Sequence, residues 1–346
     1  MKIAGRVIAP GERPYVIAEL SGNHNGDVNR ALALMESAAK AGADAVKLQT
    51  YTADTITIDC DRPDFVIKGG LWDGRKLYDL YQEAHTPWDW HKRLFECGKE
   101  LGVTVFSSPF DATSVDFLEE LGVPAYKIAS FELVDTPLLR KVAATGKPVI
   151  ASTGMADLGE IAEAVRTLRE AGCKELALLH CVSGYPTPPG EINLRTIPHL
   201  AETFGVPVGL SDHTLDPAVA IAATALGAVI IEKHLTLARS DGGPDAAFSH
   251  EPAEFAMLCD AVGTAWTAMG HINYERTPAE RGNAMFRRSI YAVRDIAPGE
   301  AISSENVRVI RPGFGLSPKH FSAILGRPAA KRITRGTALT WPLVGE

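Results

Sequence analysis

Side chains able to do chemistry recur along this chain at one kind of position, the end of a short apolar run. They are Glu19, Lys47 with Gln49, Ser107 with Ser108, Lys127 with Ser130, Ser152, His180, Ser211 with Asp212 and His213, and Glu232 with Lys233 and His234. Lys47, Lys127, Ser130, Ser152 and Ser211 offer ammonium and hydroxyl donors, the set that a phosphate or carboxylate requires. Each serine taken alone could equally cap a following helix. A pair of neutral imidazoles, His213 and His234, suits a borderline divalent ion such as manganese, cobalt or zinc acting as a Lewis acid. The same two rings could instead be hydrogen-bonded neighbours. No third His or Cys stands nearby in sequence, which argues against a closed structural zinc site. A carboxyl such as Glu19, close to lysines and a metal, can be tuned for proton transfer, or can simply pair with a lysine.

The runs that carry these groups read as strands: Tyr15 to Glu19, Ala45 to Gln49, Val103 to Ser107, Ala125 to Ile128, Val149 to Ser152, Leu176 to His180, Val208 to Ser211 and Val229 to His234. Each is rich in apolar and β-branched residues and is followed by a polar or Gly/Pro turn and a helical segment, so the pattern is one of βα units. Between Asp157 and Gly172, for example, Leu158, Ile161, Val165 and Leu168 recur at helical spacing. Asp157 with Glu160 forms a capping box and Gly172 a stop. Thr86-Pro87 is expected to be an N-cap followed by proline at the first helical position. Eight such units predict a closed (β/α)8 TIM barrel, with an open doubly wound sheet as the alternative. The first turn, Ser21-Gly22-Asn23-His24-Asn25-Gly26, lacks the glycine spacing of a dinucleotide site. In a barrel the C-terminal strand ends build the active site, so the polar groups above are expected to converge on one pocket.

The 346 residues exceed the roughly 250 to 300 at which one core stops growing. The barrel is expected over residues 1–270, a polar linker over 271–284, and a small β-rich domain over 285–346. Ser289 to Val293, Ala301 with Ile302, and Val307 to Ile310 are its expected strands. A domain of about 60 residues has a marginal core and gains from resting on something larger. With 46% apolar residues, 22% charged residues and a formal charge of -7, the composition is that of a soluble globular protein and makes nucleic acid an improbable partner. The N-terminal residues lack the apolar stretch of a secretory signal. The longest apolar run, Ala218 to Ile231, is too short to span a membrane and reads as a buried helix and strand. Five scattered cysteines, none in a C-x-x-C spacing, fit reduced thiols in a cytoplasmic protein.

Six strings occur in order through the barrel: IAELSGNHNG (17–26), KLQT (47–50), PAYKIAS (124–130), STGM (152–155), GLSDHT (209–214) and EKHLTL (232–237). Together they resemble the sialic acid synthase family. The tail from Phe286 to Glu346 resembles that family's C-terminal antifreeze-like, or SAF, domain. The resemblance implies condensation of phosphoenolpyruvate with an N-acylated amino sugar, with C-O cleavage releasing phosphate. It also implies a divalent metal, manganese first, with magnesium or cobalt as alternatives.

Carried over by position, His213 and His234 match the metal ligands and Glu19 the catalytic glutamate. Lys47, Lys127, Ser130, Ser152 and Ser211 match positions that hold phosphoenolpyruvate, with Gln49 and Ser108 beside them. Ser183 falls at another such position, where neuraminate-forming members have Asn. Asp245 and Tyr185 match positions lining the sugar site. Arg311 matches an arginine that the SAF domain of a homodimer contributes to the partner's active site. Within the family, LWDGRKLYDLYQEAHTPWDW (71–90), SSPFD (107–111) and FRRSIY (286–291) are most similar to the branch that makes pseudaminic acid. The acceptor would then be 2,4-diacetamido-2,4,6-trideoxy-L-altrose, the alternatives being the neuraminate and legionaminate branches. Residues 71–90 read on their own as an amphipathic helix pair with tryptophans in its core. Two other classes stay open: a Schiff-base aldolase using Lys47 or Lys127, and a sugar-binding protein without catalysis.

Overall fold

The computed structural model describes residues 1–346, which divide into two compact units, Met1–Gly270 and His271–Glu346. The first opens with a small antiparallel hairpin, β1 (Lys2–Ile3) and β2 (Arg6–Val7), which the sequence pattern did not reveal. Eight parallel strands follow and close into a barrel: β3 (Tyr15–Glu19), β4 (Ala45–Thr50), β5 (Thr104–Pro109), β6 (Tyr126–Ile128), β7 (Val149–Ser152), β8 (Leu176–Cys181), β9 (Val208–Asp212) and β10 (Ile230–His234). The last strand, β10, pairs in register with β3, His234 opposite Glu19, so the sheet has no free edge. The expected (β/α)8 barrel is the observed fold, and the open-sheet alternative falls.

Between and after the strands lie α1 (Val28–Lys40), α2 (Ala53–Ile56), α3 (Leu77–Ala84), α4 (His91–Leu101), α5 (Ala112–Glu120), α6 (Thr136–Ala143), α7 (Leu158–Glu170), α8 (Thr196–Phe204), α9 (Ala218–Ala225) and α10 (Pro252–Met269). The capping box predicted for α7 is present, Asp157 accepting from the amide of Glu160. The N-cap expected at Thr86 is not. Thr86 is buried with its hydroxyl toward His24, and the chain makes a 3-10 turn at Trp88–Trp90 before α4 begins at His91. The polar contact with His24 takes the hydroxyl that a cap would have used.

Alternation along the strands divides the core in two. Val16, Val46, Leu48, Ile128, Leu178, Leu210 and Ile231 face the helices. Ile17, Ala45, Phe106, Ala125, Ile150, Ala177, Leu179 and Ile230 fill the barrel, where Ile3 and Ile8 of the hairpin segment pack against them. The N-terminal end of the barrel is thereby plugged with hydrocarbon. A polar layer can then occupy the other end. No helix in the structure is long and apolar enough to cross a membrane, and all five cysteines are unpaired.

The second unit holds α11 (Pro278–Arg281), the antiparallel pair β11 (Ser289–Ala292) and β12 (Val307–Ile310), and α12 (Phe321–Ile324). Its own small core includes Ile290, Ile296, Ile302, Val307, Ile324, Ile333 and Leu339. Ala301 makes only an isolated bridge to Pro328 where a strand was expected. The polar stretch 271–284 is partly ordered: Thr277 and Glu280 form a capping box around Pro278, a signal that reading the stretch as a linker passed over.

Candidate active site

The alternation that packs the barrel also selects which polar strand ends share a space. Residues two apart point the same way, so Lys47 and Gln49, Ser211 and His213, and Glu232 and His234 continue the inward rows begun by Ala45, Gly209 and Ile230. Ser107, His180, Asp212 and Lys233 belong to the opposite rows, and the expectation that all strand ends converge is corrected for these four. Ser107 bonds Thr50, which also bonds His91. His180 meets the carbonyl of Ile192. Lys233 is fully buried against Asp212 at 2.9 Å and the carbonyl of Thr214.

Strand β9 must lie close to β10 for its groups to join the site. A side chain on Gly209 would collide with the Ile230 carbonyl and with Leu179, so glycine permits the approach. Gly154 acts similarly in the STGM turn. Its amide donates to Ser130 Oγ at 3.1 Å, and a Cβ there would strike Ser130 and Ser183.

The inward groups surround a cavity of about 490 Å3, whose lining includes Lys47, Gln49, Lys127, Ser130, Ser152, Tyr185, Ser211, His213, His234 and Asp245. Ser108 is buried beside them without lining this space. Glu19 lies behind the lining, reached through Lys47 and Gln49. Lys47 Nζ stands 3.0 Å from Glu19 Oε2 and 3.1 Å from Glu232 Oε1. The Glu19 contact is an ion pair off the hydrogen-bonding direction, since the same oxygen lacks an aligned donor. Gln49 Nε2 donates to Glu19 Oε1 at 2.9 Å and to Ser21 Oγ at 3.1 Å. Lys127 Nζ approaches Glu232 at 3.3 Å and Ser211 Oγ donates to the same oxygen at 3.2 Å. Asp245 accepts from Ser21 Oγ and from the amide of Gly22.

Glu232 is therefore the hub, and the sequence reading gave it no role. Its signal was the two-residue spacing to His234, which sets both side chains on one face. Burial would raise its carboxyl, but the Lys127 and Lys47 ammonium groups overcome this and hold it well below the usual carboxylate range. Burial drives Glu19 the other way; Lys47 opposes the rise and the charge on Glu232 adds to it. Two neighbouring carboxyls pushed apart in this way divide the labour. Glu232 stays ionised as a counter-ion, whereas Glu19 can carry a proton. Lys127 is lowered by burial, against the pull of Glu232. Glu132, also missed, lines the cavity and is pushed up by burial to about 7.

The hydroxyls of Ser108, Ser152 and Ser183 are buried without a protein partner. Leaving such groups unpaired costs about 1 to 3 kcal/mol each. Of the three only Ser152 lines the cavity, where a ligand with acceptor oxygens would repay that cost; Ser108 and Ser183 lie behind the lining.

The rings of His213 and His234 have centroids 5.4 Å apart. Nδ1 of His213 donates to the Val182 carbonyl at 3.0 Å, which in the neutral ring leaves the lone pair on Nε2. Burial lowers the pKa of this ring, but Cys181, the Val182 carbonyl and Glu232 outweigh it and raise it. Nδ1 of His234 is buried with no partner, and burial, the largest cause, keeps this ring neutral. The donor set offers two imidazole nitrogens, and no cluster of three His, Cys, Asp or Glu side chains is present. Two imidazole donors are one fewer than a typical catalytic zinc site has, and would leave the remaining positions of a divalent ion to substrate and water.

Arg311 follows β12 in the second unit and is exposed. The tryptophans of 71–90 do not form the core of a helix pair. Trp72 lies against Tyr185 and bonds the Pro244 carbonyl, Trp88 stacks on Phe117, and Trp90 meets His24 edge-on. Only one regular α-helix, α3, begins there, so each ring finds a partner outside the segment.

A closed parallel barrel, plugged at its N-terminal end and carrying a lysine, serine, carboxyl and imidazole cluster at the other, defines an enzyme of the (β/α)8 class. More narrowly, the chain belongs to the NeuB family, whose model matches residues 34–274, and a SAF domain matches 287–344. It is 44% identical to pseudaminic acid synthase of Campylobacter jejuni subsp. jejuni serotype O:23/36 (strain 81-176), over 95% of this chain and 96% of that protein. Identity to pseudaminic acid synthase of Helicobacter pylori (strain ATCC 700392 / 26695) is 42%, over 94% and 96%. Among solved structures, the N-acetylneuraminic acid synthetase of Leptospira borgpetersenii serovar Hardjo-bovis superposes with a TM-score of 0.73 at 31% identity, covering 82% of this chain and 94% of that one.

Proposed function

We propose that this enzyme condenses phosphoenolpyruvate with 2,4-diacetamido-2,4,6-trideoxy-L-altrose and water to give pseudaminic acid and phosphate. The observation that carries the reading is the convergence of Lys47, Lys127 and the unpartnered Ser152 hydroxyl beside the His213 and His234 rings in one cavity. Identity of 44% and 42% to two pseudaminic acid synthases, over nearly the full chain, supports the choice of branch over neuraminate and legionaminate formation.

Lys47, Lys127, Ser130, Ser152, Ser183 and Ser211 hold phosphoenolpyruvate through its phosphate and carboxylate, with Gln49 and Ser108 supporting them. Asp245 and Tyr185 orient the sugar. His213 and His234 would hold a divalent ion, manganese by preference, which when bound supplies Lewis-acid polarisation of the sugar carbonyl. Carbon C3 of phosphoenolpyruvate then attacks the open-chain aldehyde, water adds at C2, and the C-O bond to phosphate breaks to leave a 2-keto acid. Glu19, kept protonatable by burial, moves a proton at the aldehyde oxygen or the attacking water. The lysines neutralise the departing phosphate. Arg311 of one subunit completes the sugar site of the other in a homodimer. The protein acts in the cytoplasm.

A phosphate-release assay with phosphoenolpyruvate, manganese and each candidate sugar tests this reading. The trideoxy sugar should give the highest kcat/KM. Release only with N-acetylmannosamine would move the chain to the neuraminate branch, and release with no amino sugar would defeat the assignment. Lys127, lowered by burial, is the observation that favours a Schiff-base aldolase. Borohydride added during turnover would then label a lysine; with a free phosphate-releasing condensation it labels none.

A further inference from the structure

The cavity has two unlike sides. One is the cluster of lysines, serines and Glu232. The other comes from the excursion between β4 and α4, where Ile56, Ile67, Trp72, Leu77, Leu80 and Tyr81 line the space. A bound molecule must therefore present charge to the first side and carbon to the second.

Trp72 joins the excursion to the strand-end loops. Its indole nitrogen donates to the carbonyl of Pro244 at 2.9 Å, and Pro244 precedes Asp245. Its ring centroid lies 5.6 Å from that of Tyr185, whose ring is in turn 4.5 Å from His213 and 5.0 Å from Phe248. An aromatic wall thus runs without a break from the imidazole pair to the excursion. Because the only polar atom of the Trp72 side chain is spent on Pro244, what it offers the cavity is hydrocarbon. A hydroxyl pressed against such a surface loses its water without gaining a partner, whereas a methyl group is buried favourably.

Resting on the synthase reading above, we propose that Trp72 is a specificity-determining residue, the wall against which the methyl groups of a deoxy, N-acylated sugar pack and which disfavours a more hydroxylated hexose. An apolar contact of this size separates substrates by about 10 to 100-fold.

The test compares wild type, Trp72→Ala and Trp72→Phe, measuring phosphate release with the trideoxy sugar and with N-acetylmannosamine. Trp72→Ala should lower kcat/KM for the trideoxy sugar by about 10-fold or more while changing that for N-acetylmannosamine by less than about 3-fold. The KM for phosphoenolpyruvate should stay within about 2-fold, because the anion side is untouched, and Trp72→Phe should keep most of the preference. Equal losses with both sugars, or a loss carried by phosphoenolpyruvate, would mean that Trp72 only holds the loop, and the proposal falls. An unchanged ratio in an enzyme that does prefer the trideoxy sugar overturns the wall alone. A wild-type preference for N-acetylmannosamine overturns the branch assignment; the wall then stands only if Trp72→Ala still shifts the ratio toward the more hydroxylated sugar.

Discussion

The ammonium of Lys47 lies 3.0 Å from Oε2 of Glu19 and 3.1 Å from Oε1 of Glu232, yet burial, with the charge on Glu232 adding to it, holds Glu19 toward its protonated form against the pull of Lys47. The two carboxyls should therefore fail differently when made amides. Glu19→Gln should reduce kcat by about 10² to 10⁴-fold with little change in phosphoenolpyruvate affinity, since only a proton carrier is removed. Glu232→Gln should cost about 3 to 5 kcal/mol of stability in urea unfolding, because two buried ammonium groups lose their shared counter-ion. Similar profiles for the two variants would refute this division of roles.

Chelation should abolish activity and manganese restore it, given that His213 and His234 are the proposed donors. Replacing either by Ala should weaken manganese binding in calorimetry while the unfolding curve stays close to wild type, because both rings border a cavity. Full turnover in a preparation shown to be free of metal would refute metal dependence. Unchanged manganese affinity in both variants would refute the ligand assignment.

The barrel and most of its site were legible because strand period and strand-end chemistry are local signals. Tyr15 to Glu19 and Val149 to Ser152 match the observed strands end to end. Strand-end chemistry alone does not sort the groups by facing, which needs the two-residue period of each strand. His180 and Lys233 sit on the right strands but point outward, and the register of Glu232 with Ser211 and of Lys233 with Asp212 shows neighbours dividing between cavity and helix layer. Trp72 was hidden for another reason. Its partner Pro244 lies 172 residues away, a distance no periodicity spans.

Acid stability should report on buried imidazoles. His91 is lowered by burial to about 4, its Nδ1 meeting the Pro87 carbonyl at 3.2 Å and its Nε2 the Thr50 hydroxyl at 2.8 Å. Its ordinary value is 6.5. Above that pH both states hold the ring neutral, and the contribution is complete. As pH falls toward 4 the unfolded chain takes up a proton that the fold refuses, so stability declines by up to about 1.4 kcal/mol per pH unit for this residue. His24 is lowered to about 4 in the same way, again chiefly by burial. Urea unfolding of His91→Gln at several pH values between 6.5 and 4 should show a shallower slope than wild type. Parallel curves would show that His91 titrates normally in the fold.

Subunit complementation tests the role of Arg311. The second unit has a small core of its own, and Arg311 is exposed just beyond β12. A guanidinium stays charged and presents a fork of donors, which suits oxygen atoms on a substrate held by another chain. A cyclic dimer would give two equivalent sites, each using one barrel and the other chain's arginine. Arg311→Ala and Glu19→Gln chains should each be nearly inactive alone. In a heterodimer, the site built from the intact barrel receives the intact arginine, while the second site has both defects. Mixing the two variants under conditions of subunit exchange should therefore restore up to about half of the wild-type activity per heterodimer. Mass measurement of differently tagged chains would establish that exchange has occurred. No recovery in demonstrated heterodimers would mean that Arg311 serves its own barrel or none.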